Sequence, residues 1–230
     1  MRILIAGSSS TIARAIGRQL KAQGEEVFTL SREGSKESEH LCTDLSVEDN
    51  IPHIEDFIKN VHPDVIFCCN GLLHNDGGYP EKSLKQLSDA WLQQNLNVNL
   101  LCHMHLARAA DSLVSRKHPL RWISLSAMVG SIEDNHLGGW YSYRISKAAL
   151  NMFIRTLSIE WGRRSPASVV VAQHPGTTVS ALSEPFAEGI PEGRIYSAEQ
   201  TAERLIEVMR SLNQTHHGRL LHWDGRILPF

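Results

Sequence analysis

The feature that most constrains the fold of this chain is a regular alternation of short apolar runs with longer amphipathic stretches. The apolar runs occupy residues 2–7, 26–31, 64–71, 121–126, 168–173 and 218–223. The amphipathic stretches fall near residues 11–23, 47–60, 84–116, 141–163 and 198–212. Strands that alternate with helices predict a parallel sheet with crossover helices, and nearly continuous apolar strands indicate burial on both faces. We therefore predict an α/β fold: a doubly wound, Rossmann-type domain with about seven mostly parallel strands flanked by helices.

Length and charge narrow the class of protein further. The 230 residues fit one α/β domain, which we expect to span residues 1–230. The 23 basic and 25 acidic residues give a net charge of −2, which offers no reason to expect a nucleic-acid or membrane partner. The sequence shows neither a signal-peptide pattern nor an apolar run of membrane-spanning length, so we expect a cytoplasmic protein. Its four cysteines match neither a disulfide scaffold nor a metal site, and we expect no metal.

The first strand runs into the segment AGSSSTIARAIG, residues 6–17, which predicts a tight turn opening a helix near Thr11. The free N–H groups and positive dipole end of a helix N-terminus suit a pyrophosphate. In a glycine-rich phosphate loop, Thr11 and Ala13 would hold the places of the second and third glycines, and only Gly7 is retained. Alanine is accepted at the third place, whereas threonine at the second is unusual. The segment is therefore a weak nucleotide signal by itself.

The second strand ends in TLSREG, which places Ser31 and Arg32 at the edge where a dinucleotide's adenosine ribose would lie. An acidic residue there favours NAD, whereas arginine can pair with a 2′-phosphate. The residue type therefore favours NADP(H) over NAD(H). The alternative is that Arg32 only ends the strand in solvent.

Two tyrosines and a lysine lie together in GGWYSYRISKAALN, residues 138–151. Tyr143 and Lys147 are four residues apart and share one face of a helix, whereas Tyr141 points to another face. An ammonium group beside a phenol favours the phenolate, which makes Tyr143 a candidate proton donor. Taken alone, however, the stretch favours a surface tyrosine beside a solvated lysine, and the rest of the sequence has to decide.

The order of these landmarks resembles the classical short-chain dehydrogenases/reductases over nearly the whole chain. The shared landmarks are the Gly7 turn, Arg32, Asp44-Leu45, Gly71, Asn99, Ser126, Tyr143 with Lys147, and Pro175-Gly176. Within the family the chain is most similar to the C-factor and sniffer-like carbonyl reductases. That similarity is carried by the segments at 124–151, 174–186 and 222–230.

The resemblance implies a set of cofactor-binding residues. Those expected at the nucleotide end are Gly7, Ser9, Ser10, Thr11, Ile12, Ser31, Arg32, Asp44, Leu45, Asn70 and Gly71. Those expected around the nicotinamide are Tyr143, Lys147, Pro175, Gly176, Thr178 and Ser180. One departure from the family pattern stands out, because Cys68 and Cys69 occupy places where the family usually carries asparagine.

The resemblance also implies four catalytic residues. Tyr143 would exchange the proton, Lys147 would stabilise its anion and hold the ribose, and Ser126 would bind the substrate oxygen. Asn99 would keep a kinked helix that completes a proton relay. Two assignments stay open. The 17-residue interval from Ser126 to Tyr143 exceeds the common spacing, so the family serine could align with Ala127 or Ser124, and Asn97 competes with Asn99.

The implied activity is NADP(H)-dependent reduction of a small carbonyl compound, or oxidation of a secondary alcohol. Relatives of this kind are commonly homodimers or homotetramers, which we also expect here. A non-catalytic NADP-binding redox sensor, or a C-factor-like signalling protein, is the alternative. A sugar-nucleotide epimerase fits poorly, because only about 50 residues follow the last family motif.

Overall fold

The computed structural model describes residues 1–34, 38–189 and 193–230. The main helices are α1 (Thr11–Ala22), α2 (Ile51–Val61), α3 (Asp89–Leu96), α4 (Cys102–Ala110), α5 (Tyr141–Arg164) and α6 (Ala198–Ser211). The longer strands are β1 (Arg2–Ala6), β2 (Glu26–Ser31), β4 (Val65–Cys68), β5 (Arg121–Leu125) and β6 (Val169–Gln173). The shorter strands are β3 (His40–Cys42), β7 (Thr177–Thr178), β8 (Ile195–Tyr196), β9 (Leu220–Leu221) and β10 (Ile227–Leu228).

The main sheet has the strand order β10-β9-β6-β5-β4-β1-β2-β3, and every neighbouring pair is parallel except β9 with β10. Helices α2, α4 and α5 cover one face of this sheet and bury residues such as Leu4, Ile66 and Trp122. Helices α1 and α6 cover the other face, over Ile5 and Phe67. The predicted doubly wound α/β fold is confirmed. Since the central strands are parallel, their carboxyl ends meet at one edge, where ligands bind in sheets of this kind.

The strand count is slightly higher than expected. Within the described residues the main sheet has eight strands, and β7 pairs with β8 outside it. The additional strands β3 and β10 have three and two residues, too few to show an alternation of apolar and polar positions. They are strands only because their backbones pair with β2 and β9, and this pairing forms only in the folded sheet.

For the stretch 84–116 the sequence predicts either two helices or one bent helix. The structure shows two helical segments that run into each other through a single irregular turn. Helices α3 and α4 are joined by a π-helical turn at Asn97–Leu101, in which the Cys102 N–H bonds to the Asn97 carbonyl. A π turn inserts one extra residue and is often found at functional sites.

In the described part of the chain, no helix is long and apolar enough to span a membrane.

Candidate active site

The turn after β1 presents a helix N-terminus at the carboxyl edge of the sheet. Gly7 has φ +70°, and a Cβ there would lie 2.9 Å from the Asn70 nitrogen, so a side chain would force the turn apart. Ser10 caps α1 by accepting from the Ala13 N–H at 3.3 Å. Among the described residues, the Thr11 and Ile12 N–H groups of this first turn have no partner. Both are therefore available to an anion through the backbone.

A cleft of about 150 Å³ runs from this turn across the carboxyl ends of β2 and β4. Nine of the predicted cofactor residues line it, namely Gly7, Ser9, Ser10, Ser31, Arg32, Asp44, Leu45, Asn70 and Gly71. Cys69, which the sequence comparison with the family marked as a departure, also lines it, together with residues that the sequence did not single out, namely Leu30, Thr43, Ser46, Val98 and Cys102. Burial raises the pKa of the Cys69 and Cys102 thiols to about 12, so both contribute neutral surface.

Hydrogen bonds fix the wall of the cleft that follows β3. Asp44 Oδ1 accepts from the Ser46 N–H at 2.8 Å and from its hydroxyl at 2.7 Å, which closes a tight turn. His105 Nδ1 lies 2.7 Å from the Leu45 carbonyl oxygen and ties this wall to α4. Arg32 is exposed at the rim of the cleft, and its neighbour Glu33 pairs with Arg14 at 3.1 Å.

At the other end of the site, α5 carries Tyr143 and Lys147 on the same face. The Lys147 Nζ lies 5.9 Å from the centre of the Tyr143 ring and donates to the Leu125 carbonyl at 2.9 Å. Burial lowers the pKa of Lys147 to about 8, so the ammonium form still prevails at pH 7. Burial raises the pKa of the Tyr143 phenol above its ordinary value and is the largest cause of that shift. Without a ligand, Tyr143 therefore holds its proton.

Asn99 lies in the π turn and is fully buried. Its Oδ1 accepts from the Leu72 N–H at 2.7 Å, and its Nδ2 donates to the Leu72 carbonyl at 2.8 Å and to Ser146 Oγ at 2.9 Å. One side chain thus joins the loop after β4 to α5. The competing Asn97 is only half-buried and accepts from Gln93 instead.

The two candidate serines of β5 and its end have different partners. Ser126 is 4% exposed, and its hydroxyl donates to Asn151 Oδ1 at 2.7 Å. Ser124 is fully buried and accepts from the Trp122 indole N–H at 2.8 Å. Asn151 also donates to the Gly130 carbonyl, so it holds both sides of the loop after β5. A role of Ser126 toward the substrate oxygen requires its hydroxyl to turn away from Asn151.

His103 is a residue that sequence reasoning missed. Its Nδ1 lies 3.0 Å from Ser124 Oγ, and its Nε2 lies 3.1 Å from the Asn70 carbonyl oxygen. A carbonyl only accepts, so Nε2 carries the proton and Nδ1 accepts from Ser124, which completes a directed chain that starts at Trp122. Burial lowers the pKa of His103 to about 3, which keeps this neutral tautomer at pH 7. These hydrogen bonds fix the backbone at Asn70, directly after Cys68 and Cys69, the two cysteines that stand in the family's asparagine places.

Sequence reasoning missed Asn151 as well as His103, although the spacing of each from a predicted residue is a signal that could have found them. Asn99 and His103 lie four residues apart within an apolar helical stretch, as do Lys147 and Asn151 on α5. Polar side chains that recur at this spacing lie on one helical face. All four are buried and hydrogen-bonded, which is the usual requirement for polar groups in a core.

The segment after β6 is arranged mainly by contacts within the protein. Thr178 Oγ1 lies 2.8 Å from the Thr201 hydroxyl on α6, and the Ser180 hydroxyl donates to the Thr178 carbonyl at 3.2 Å. Gly176 has φ +80° and packs closely against Trp223. Pro175, Gly176, Thr178 and Ser180 do not line the cleft described above, and neither do Thr11 and Ile12.

The residues present fit a dinucleotide. The N–H groups of Thr11 and Ile12 suit the pyrophosphate, and Arg32 lies where a 2′-phosphate could be bound. A Cβ on Gly71 would lie 3.8 Å from Lys147 Nζ and 3.8 Å from Asn99 Oδ1. The missing side chain therefore leaves space in front of the lysine, where a ribose could approach its ammonium group.

Sequence comparison identifies the family. The profile of the short chain dehydrogenase family matches residues 1–190, and the chain belongs to this family of oxidoreductases. A 1-hydroxy-2-glutathionyl-2-methyl-3-butene dehydrogenase of Rhodococcus sp. (strain AD45) is 28% identical over 99% of both chains. The C-signal protein of Myxococcus xanthus is 33% identical over 50% of this chain and 64% of its own length.

Solved structures share the fold. The carbonyl reductase Sniffer of D. melanogaster superposes with a TM-score of 0.84 at 21% identity, over 99% of this chain and 98% of that one. An NADPH-bound carbonyl reductase from chicken fatty liver superposes with a TM-score of 0.83 at 18% identity, over 100% and 94% of the two chains. The similarity to C-factor and sniffer-like proteins expected from the sequence is confirmed.

Proposed function

We propose that this protein is an NADP(H)-dependent oxidoreductase that reduces a small apolar carbonyl compound, or oxidises the corresponding secondary alcohol. The observation that carries the proposal is the buried Lys147 ammonium beside the Tyr143 ring, behind the space left by Gly71. A phenol with a pKa near 10 is a poor acid–base catalyst at pH 7 unless its anion is stabilised. Lys147 supplies the positive charge for that purpose.

When bound, the reduced nicotinamide cofactor would supply the hydride for the carbonyl carbon, and the residues of this chain would supply the proton that the oxygen requires and stabilise the charge. Tyr143 donates its phenolic proton to the carbonyl oxygen, and the nearby Lys147 ammonium stabilises the phenolate that remains. Asn99 holds the Leu72 backbone and α5 in a fixed relation, so that the loop after β4 and the lysine keep their places. Ser126, once released from Asn151, can donate a hydrogen bond to the substrate oxygen.

Aromatic side chains beside Tyr143 support an apolar substrate. The Trp140 ring centre lies 6.3 Å from that of Tyr143 and 5.2 Å from that of Phe186. Phe186 meets His74 at 5.8 Å, and His74 stacks on the exposed Tyr79 at 5.2 Å. This aromatic wall, Trp140, Phe186, His74 and Tyr79, leads from the proton donor to solvent and favours apolar groups.

Two observations support the proposed preference for NADP(H), namely the chemistry of Arg32 and the cofactor bound by a protein of similar fold. Arg32 is exposed on the cleft rim, where a guanidinium can form charge-assisted bonds to a 2′-phosphate. The similarly folded chicken carbonyl reductase binds NADPH. Both observations favour NADP(H) over NAD(H).

The test combines cofactor binding with turnover. Titration with NADPH and NADH, followed by fluorescence, should show tighter binding of NADPH. A panel of apolar ketones and aldehydes should then be reduced by the wild type, with turnover in Tyr143→Phe lower by about 100-fold or more. Tyr141→Phe is the matched control and should keep its activity. NADPH binding without turnover of any carbonyl or alcohol would favour the redox-sensor alternative.

We also propose a homodimer or homotetramer formed through α5. Ile145, Met152 and Ile159 are 43%, 67% and 45% exposed, and they recur every seven residues along one face of this helix. Such an apolar stripe is typical of a helix that packs against a partner helix. Light scattering should therefore detect an oligomer in the wild type and a smaller species in Met152→Glu. A monomeric wild type would contradict this assembly.

A further inference from the structure

The helix that carries Tyr143 and Lys147 lacks a capping side chain of its own. Helices α1, α3 and α6 begin with serines whose hydroxyls accept a backbone N–H of the first turn. At the corresponding position of α5 stands Trp140, with φ 53° and no side-chain cap. An indole has no acceptor oxygen, so it cannot satisfy the free N–H groups of the first turn.

Glu81, distant in sequence, occupies the capping place. Its Oε1 and Oε2 accept from the Ser142 N–H at 3.3 and 3.1 Å, and the Ser142 hydroxyl also donates to Oε1. The Glu81 backbone carbonyl accepts from the Trp140 N–H at 2.5 Å. One residue of the loop before α3 therefore accepts from two backbone N–H groups and one hydroxyl at the start of α5.

Burial makes this contact more consequential than an ordinary surface cap. Glu81 is 2% exposed and Ser142 is fully buried. Within the described residues, Glu81 forms no salt bridge with a lysine, arginine or histidine. The carboxylate is therefore stabilised by the Ser142 N–H and hydroxyl and by the positive end of the helix dipole. Losing either side of this contact would leave buried polar groups without partners.

We propose that Glu81 is a positioning residue, whose carboxylate fixes the first turn of α5 and thereby the place of the Tyr143 phenol. The inference rests on the proposed function of Tyr143. Tyr143 directly follows Ser142, so a shift of the capped residue moves the proton donor with it. The arrangement also explains Trp140 at the cap position, because its ring belongs to the aromatic wall and the capping task falls to Glu81.

The test compares two Glu81 variants with a cap removed elsewhere. Glu81→Ala removes the contact, Glu81→Gln keeps an oxygen that can accept from Ser142, and Ser88→Ala removes the cap of α3. For each protein, kcat, KM, the NADPH dissociation constant and amide hydrogen exchange at residues 141–147 are measured well below the unfolding temperature.

We expect Glu81→Ala to lower kcat by about ten- to a hundredfold, since a displacement of about 1 Å has that effect on reacting groups. Exchange at residues 141–147 should accelerate, NADPH binding should stay within about twofold, and Glu81→Gln should recover part of kcat. Ser88→Ala should lower stability while kcat is retained. An unchanged kcat in folded Glu81→Ala, or an equal loss of kcat in Ser88→Ala, would overturn the proposal.

The exchange measurement separates this inference from the proposed function. If the wild type binds NADPH but turns over no substrate, the proposed function fails. Faster exchange at residues 141–147 in both Glu81 variants would then still show that Glu81 holds the start of α5. Unchanged exchange in both variants would overturn the positioning role regardless of activity.

Discussion

The proposed nucleotide end of the site is built mainly from backbone N–H groups and short side chains, with Arg32 at its rim, whereas the proposed catalytic end is built from buried side chains that are hydrogen-bonded to other elements. The first turn of α1 keeps its shape although Thr11 replaces a glycine, because Gly7 and the Ser10 cap set its geometry. Lys147 and Asn99 depend instead on contacts with β5, the loop after β4 and α5. A site built from backbone tolerates changes of residue type that a site built from side chains does not.

The largest expected effect lies at the catalytic end. Lys147→Met removes the buried ammonium, and we expect kcat to fall by about 100- to 10,000-fold. In the wild type, kcat/KM should decline above pH 8, because Lys147 has a pKa of about 8 and loses its charge as the pH rises through that value. Lys147→Arg keeps its charge well above this range and should abolish the decline in whatever activity it retains. A pH–rate profile for wild type and Lys147→Arg tests this, and identical profiles would contradict it.

At the nucleotide end, the side chain expected to matter most is Arg32. Arg32→Asp places a negative charge where the 2′-phosphate is proposed to bind, so the NADPH dissociation constant should rise by about ten- to a hundredfold. Binding of NADH, which lacks that phosphate, should change little. Arg18→Asp makes the same change of net charge at an exposed arginine that pairs with Glu199, and is the matched control for a general loss of positive charge. Calorimetric titration of both cofactors measures the difference, and equal weakening of both would exclude a specific phosphate contact.

His103 links the two ends, and its effect should be seen in stability. Its pKa is about 3 in the folded state and near 6.5 when unfolded, so below pH 6.5 the unfolded chain binds the extra proton. Folding stability should therefore fall as the pH drops from 6.5 toward 3 on account of this residue, by on the order of 1 kcal/mol per pH unit. His103→Gln should remove that part of the slope between pH 6.5 and 5, as measured by urea unfolding. His53→Gln, on the exposed face of α2, is the control.

The smallest expected effect concerns the altered phosphate turn. Thr11→Gly restores a glycine, but the proposed contact is made by the backbone N–H, so NADPH affinity should change by less than about threefold. Gly7→Ala, in contrast, requires a side chain at φ +70° and 2.9 Å from the Asn70 nitrogen, and should weaken binding by more than about tenfold. A large gain in affinity for Thr11→Gly would show that the threonine side chain obstructs the cofactor.

The sequence predicted the parts of the molecule that local patterns encode. Alternating strands and helices identified the fold, and the spacing of four residues brought Tyr143 and Lys147 together on α5. The contacts of Glu81 with Ser142, 61 residues later, have no local pattern. Only the packing of the loop before α3 against the start of α5 creates them.

The serine of β5 shows a second limit of sequence reasoning. Side chains alternate along a strand, so the sequence puts Ser124 and Ser126 on one face; it favours Ser126, which lies nearer the carboxyl end of the strand, with Ser124 as the competitor. In the structure Ser124 is hydrogen-bonded to Trp122 and His103, while Ser126 is hydrogen-bonded to Asn151 on α5. The partners differ because α4 packs below one serine and α5 below the other, a distinction that arises only in three dimensions.

The π turn at Asn97–Leu101 determines where this helix can change its length. A π turn takes up one extra residue within a single widened turn, so the helical segments on either side keep the faces they would have in a regular helix. A one-residue insertion or deletion within α4 has no such turn to absorb it, and because each residue advances an α-helix by about 100°, it would rotate the residues that follow by that angle. Such a change just before His103 would take its imidazole away from Ser124 and the Asn70 carbonyl. The segment can therefore vary in length at the π turn but not beside it.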